Sequence, residues 1–118
     1  MLSSDELFRI IFLDAPSAPT NLTRIKSTAN LITITWSAPK ETGHHPIKYY
    51  LVETGSSTSF DRGKNYTVIN GRTKYEHTFR YLKPNTKYSV YVSAYNNLGR
   101  GAEATQTYET VTYGVPGW

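Results

Sequence analysis

The chain has 118 residues, no cysteine and a formal charge of +4 at pH 7. That length fits one domain with one modest core, and the missing cysteines exclude a disulfide framework or a Cys-based zinc site, so packing alone must hold it. The charge falls short of the concentrated basic face of nucleic-acid binders, and no apolar run is long enough to cross a membrane as a helix.

Ten tyrosines, many Thr, Val and Ile, and few strong helix formers favour an all-β chain. Residues 1–14 fit no single template: Leu7, Ile10 and Ile11 have helical spacing, whereas Phe8, Ile10 and Phe12 alternate. The stretch is a poor signal peptide, because Arg9 breaks its apolar part and Asp5 and Glu6 precede it. It reads either as a leader without structure or as the remnant of a preceding domain or linker. Pro16 and Pro19 then enforce an extended path.

Strands are expected at 21–26, with Leu22 inward, and at 31–36, where Ile32, Ile34 and Trp36 point one way and Leu31, Thr33 and Thr35 the other. Trp36 is the expected centre of the core, since a buried indole removes roughly 150–250 Å² from water. A polar loop at 37–46 leads to a strand at 47–53, with Tyr50 and Val52 inward and Tyr49 and Leu51 outward. Short strands follow at 66–69, closed by the turn pair Asn70-Gly71, and at 75–79, with His77 and Phe79 on one face. After a turn at Pro84-Asn85, Tyr88, Val90, Val92 and Ala94 alternate with Ser89, Tyr91, Ser93 and Tyr95. A glycine-bearing loop at 96–101 and a last strand at 104–113 complete the chain. Seven short strands with turns every ten or so residues are the pattern of an antiparallel two-sheet sandwich.

The pieces resemble a fibronectin type III domain in order. Pro16 to Leu22 is similar to the family's P-x-x-P-x-x-L opening, and Trp36 to its second-strand tryptophan. Pro46-Ile47 with Tyr50 and Val52 resembles its third strand, and Leu82, Pro84, Thr86 and Tyr88 resemble its L-x-P-x-T-x-Y tyrosine corner. Ala94-Tyr95-Asn96 and Gly99 to Gly101 resemble the end of its sixth strand and the following loop. The resemblance implies a seven-stranded immunoglobulin-like sandwich over 15–114, with 115–118 starting a linker. It implies structural roles for Trp36, Leu82 and Tyr88, and binding or spacing rather than catalysis.

No nucleophile constellation, phosphate loop or paired acid motif is present, so no catalytic or cofactor-binding residue is assigned. Adjacent His44 and His45 rarely aim at one ion from an extended loop, so no metal is assigned either. The loop after the sixth strand has Ala102 where an Arg-Gly-Asp motif would need aspartate. Candidate partner-binding residues are His44, His45, Asn97 and Arg100 in the two loops, and Tyr49 and Tyr91 on the outer sheet face, where tyrosines also simply stabilise sheets. Asn21-Leu22-Thr23 and Asn65-Tyr66-Thr67 fit the glycosylation acceptor pattern. Arg62, Lys64, Arg72 and Lys74 form a candidate basic patch for an acidic glycan, or a solvated face that blunts a sheet edge. The expected function is a non-catalytic extracellular interaction or adhesion module of a larger receptor. It would present its loops to a protein partner beside neighbouring domains of the same chain, without inserting into a membrane. The alternative is a spacer in a tandem array, outside the cell or in a muscle-type filament.

Overall fold

The computed structural model describes Ser3 and residues 14–56, 60–61, 65–67 and 74–112. The strands are β1 (Thr20–Ser27), β2 (Ile32–Ser37), β3 (Tyr49–Gly55), β4 (Phe60–Asp61), β5 (Asn65–Thr67), β6 (Lys74–Phe79), β7 (Lys87–Asn96) and β8 (Gly99–Glu109). They form two antiparallel sheets, β1-β2-β6 and β4-β3-β7-β8, with β5 also pairing β3. Both β4 and β5 lie along β3, against Thr54-Gly55 and against 49–51 respectively. Counted as one interrupted edge strand, they leave the expected seven among the described residues.

Alternation builds the core. Ile32, Ile34 and Trp36 of β2 face Tyr50 and Val52 of β3, Tyr75 and Phe79 of β6, and Val90, Val92 and Ala94 of β7, all at most 5% exposed. Trp36 meets the Tyr50 ring edge-on at 5.7 Å and stacks over Tyr75 at 6.0 Å. Burial pushes the Tyr50 phenol well above its usual range, and the neighbouring Tyr75 adds to the shift. Leu22, Ile47, Leu82 and Tyr108 close the margins. Tyr108 carries the Arg24 guanidinium over its ring at 5.8 Å. Burial raises the Tyr108 phenol too, while the Arg24 cation pulls it back down.

The corner ahead of β7 is tied by hydrogen bonds. The Tyr88 hydroxyl accepts from the Lys83 N–H at 2.8 Å. Buried Thr110 receives the Thr86 N–H on its hydroxyl at 3.0 Å and donates to the Lys83 carbonyl. Asn85 takes φ +49°, the left-handed conformation its short amide tolerates.

Several boundaries differ from expectation. The third strand begins at Tyr49 and runs on through Thr54 and Gly55, because Lys48 is held by the Tyr95 carbonyl outside the ladder and Thr54 still pairs with Val90. The last strand starts at Gly99, not at 104, and ends at Glu109. Thr33 and Thr35 do point away from the core, yet they are 6% and 5% exposed, since β1 and β6 flank them and the Thr33 and Thr78 hydroxyls bond at 2.8 Å. The turn Asn70-Gly71, most of the leader and the segment 115–118 lie outside the described residues.

Candidate interaction site at the loop end

β2 and β7 run to the same end of the sandwich, so the β2–β3 loop, the β7–β8 turn and the incoming chain at 14–17 meet there. The residue that joins them is Asn96, 4% exposed. Its amide nitrogen donates to the Asp14 carbonyl at 2.7 Å and to the Thr42 carbonyl at 2.9 Å. Its oxygen accepts from Leu98 N–H at 2.8 Å and Gly99 N–H at 3.2 Å. One side chain thus uses its full donor and acceptor capacity on three separate segments.

Two glycines make room for the incoming chain. A Cβ on Gly43 (φ +77°) would stand 1.9 Å from the Asp14 carbonyl oxygen, and one on Gly101 would stand 2.1 Å from that of Pro16. The strap is fastened on both sides: Ser17 N–H donates to the Glu41 carbonyl at 2.9 Å, and Ala102 N–H to the Pro16 carbonyl at 3.3 Å. The Ser17 hydroxyl also receives the Glu41 N–H at 3.0 Å.

The expected loop at 96–101 is therefore a correction: Asn96 pairs with Gly99 and Tyr95 with Arg100, leaving a two-residue turn of Asn97 and Leu98. The Asn96 oxygen caps that turn, so the chain reverses at once. Asn97 is exposed and Leu98 is 44% exposed. Arg100 is mostly engaged within the sheet. Its guanidinium crosses β7, donating to the Ser93 hydroxyl at 3.0 Å and reaching Glu53 at 3.3 Å, and it also pairs with Glu103. Glu53 is only 5% exposed although it sits on the outer face, because Arg100 covers it.

Exposed His44 stands at φ +67° beside half-buried His45. On the outer face Tyr49 stacks on Tyr95 at 4.4 Å, and Tyr91 pairs with Glu53 across the strands. Asn21 is exposed at φ +55° in an irregularity of β1, with the Thr23 hydroxyl donating to its carbonyl. Asn65 pairs along the edge with Leu51. Lys74 is exposed, whereas Arg62, Lys64 and Arg72 lie outside the described residues.

The tied corner, the buried tryptophan and the two-sheet order coincide with a match to the family described as "Fibronectin type III domain" over residues 17–111. The chain belongs to the fibronectin type III family. Over 86 residues it is 31% identical to "Receptor-type tyrosine-protein phosphatase F" of Danio rerio, covering 73% of this chain and 4% of that protein. Over 89 residues it is 37% identical to "Titin" of Drosophila melanogaster, covering 75% of this chain and, to the nearest per cent, 0% of titin. A solution structure of a human fourth FNIII domain superimposes with a TM-score of 0.66 at 26% identity, covering 86% of this chain and 84% of that one. This fibronectin type III domain thus spans a small fraction of the length of its curated relatives, which include a receptor-type tyrosine-protein phosphatase and titin. The sequence reads Asn96 as the junction of the sixth strand and a loop at 96–101. The signal that marks it is Asn three residues before a glycine at a strand end, the pattern of a side chain that caps its own turn.

Proposed function

We propose that this fibronectin type III domain is a non-catalytic interaction module of a larger receptor or adhesion protein, presenting one end of a rigid sandwich to a protein partner. The observation that carries the reading is the Asn96 clasp. It fixes the β2–β3 loop, the turn at Asn97-Leu98 and the incoming chain against one another, so the backbone that carries exposed His44, Asn97 and Leu98 is already ordered before binding. Likeness to a receptor-type phosphatase supports an extracellular position, and exposed Asn21 supports glycosylation there.

The test is His44→Ala with Asn97→Ala in the parent protein. Loss of the partner from crosslinked surface complexes is expected, with the melting temperature of the 118-residue chain held within about 2 °C, as for surface changes generally. Retained complexes sink the reading. A glycan found on Asn21 or Asn65 of the parent isolated from its own cells places the domain in the secretory pathway.

One observation favours a second reading, a spacer in a tandem array with residues 15–114 as one unit. The chain enters at the Asn96 end and leaves at the opposite one, where Val111 N–H bonds the Thr28 carbonyl, and titin is among the relatives. Under that reading the same double substitution leaves every complex intact.

A further inference from the structure

At the end opposite the clasp, the β1–β2 turn and the segment 80–86 are laced together. Leu82 N–H donates to the Asn30 carbonyl at 2.8 Å, and the Asn30 amide returns a long bond to the Leu82 carbonyl at 3.5 Å. Leu82 packs on the core, but its neighbour Tyr81 does the opposite: it is 96% exposed and holds φ +60°. A left-handed backbone is unfavourable for a bulky aromatic residue, costing of order 1 kcal/mol, and only the surrounding structure keeps it there. Neither burial of the ring nor an easy turn explains a tyrosine at this position.

Tyr81 lines an open cavity of about 320 Å³ together with Asn30, Leu31 and Arg80. The charges on the flanking strand ends and the 80–86 segment are Lys26, Arg80, Lys83, Lys87 and Glu109, four cations against one anion. Among the described residues the ion pairs are those of Arg100, at the other end; Glu109 lies opposite Lys87 in the ladder, and no described carboxylate pairs with Arg80 or Lys83. Half-buried Leu31, exposed Tyr81 and the cations Arg80, which lines the cavity, and exposed Lys83 near it in the chain together have the composition of a peptide-binding hot spot.

We propose that this end docks an acidic protein segment, one apolar side chain entering beside Tyr81 and its flanking carboxylates meeting Arg80 and Lys83. Charge complementarity selects the partner: a basic or neutral segment gains nothing from the rim. Tyr81 is the anchor, and its strained backbone presents the ring clear of Leu82.

The experiment is chemical-shift mapping of the full 118-residue chain with a synthetic peptide of alternating Asp, Glu and Leu, beside the same peptide with Lys in place of the acids. Saturable shifts are expected at the amides of Asn30, Leu31, Arg80 and Tyr81, for the acidic peptide only. Tyr81→Gly should weaken binding about tenfold, the loss of one interface anchor, while its melting temperature holds or rises, since glycine accepts this φ freely. Arg80→Glu should weaken binding likewise, and less salt-dependent loss of affinity should remain, because the attraction left is that of Lys83 alone. The proposal is overturned by shifts elsewhere or nowhere, by equal binding of the Lys peptide, or by undiminished binding to Tyr81→Gly. Binding here of a sulfated oligosaccharide or of phosphatidylserine vesicles, with none of the acidic peptide, overturns it equally.

Discussion

Asn96 carries more of the loop end than any other single side chain described, because its partners come from three places in the chain. Asn96→Ala removes four hydrogen bonds and leaves four part-buried main-chain groups without that partner. At about 1 kcal/mol per lost bond, a destabilisation of about 2–4 kcal/mol is expected in urea titration. Asn96→Asp is the sharper probe. It keeps the acceptor that caps the turn but sets a carboxylate against the Asp14 and Thr42 carbonyls. It should cost at least as much as the alanine change despite being nearly isosteric. Trp36, fully buried between Tyr50 and Tyr75, gives the core counterpart. Trp36→Ala should cost about 3–5 kcal/mol, a large share of the about 5–15 kcal/mol that holds an ordinary domain folded.

Among the elements, β8 is the one whose role changes most between sequence and structure. Glycines at 99 and 101 read as loop, yet both lie in the strand: Gly99 closes a tight reversal and Gly101 lets the incoming chain pass. Arg100 between them spans β7 to reach Glu53. Removing the arginine strands a carboxylate that is nearly out of water, so Arg100→Ala should cost about 1–3 kcal/mol. A double-mutant cycle with Glu53→Gln should recover part of that loss. Independent single effects would mean that the pair contributes nothing through its charge. Regular alternation made the strands legible, since a period of two reports burial directly, as at 88–95. The ties were not legible. The bond from Asn96 to the Asp14 carbonyl joins residues 82 apart in the chain, and that from Ser27 to the Glu109 carbonyl likewise joins residues 82 apart. Nothing in the local pattern of either residue encodes its distant partner. Glu53 left a fainter trace, an acid directly after the apolar and aromatic run Tyr49 to Val52.

For the molecule as a whole, packing replaces disulfides, and its tyrosines make that packing sensitive to alkali. Burial raises the Tyr50 and Tyr108 phenols in the folded state. An exposed phenol in the unfolded chain ionises near pH 10. Above that pH the unfolded state loses protons that the folded state retains, so stability falls as pH rises. The contribution is fully present below about pH 10 and is lost in the window above it. Melting temperature should be flat from neutrality to about pH 9 and then decline, and Tyr50→Phe should flatten the decline. The family, the strand pattern and the corner motif at 82–88 were visible in the sequence because each rests on residues close together in the chain, whereas the corner's ties to Thr110 were not. The two ends were not, because they are built where distant loops meet.

The strap at Asp14 to Ser17 also bears on how the domain carries load. Tension applied through the preceding chain arrives first at the Asp14, Pro16 and Ser17 bonds, before any strand of the core is sheared. Those bonds open one after another, whereas the β1–β2 ladder resists in parallel. Under slow stretching the domain should therefore yield a short early extension of at most about 14 Å, the length of the freed strap at roughly 3.4 Å per residue. The sandwich itself would stay closed behind it, and the domain would act as a reversible slack-take-up in series with its neighbours.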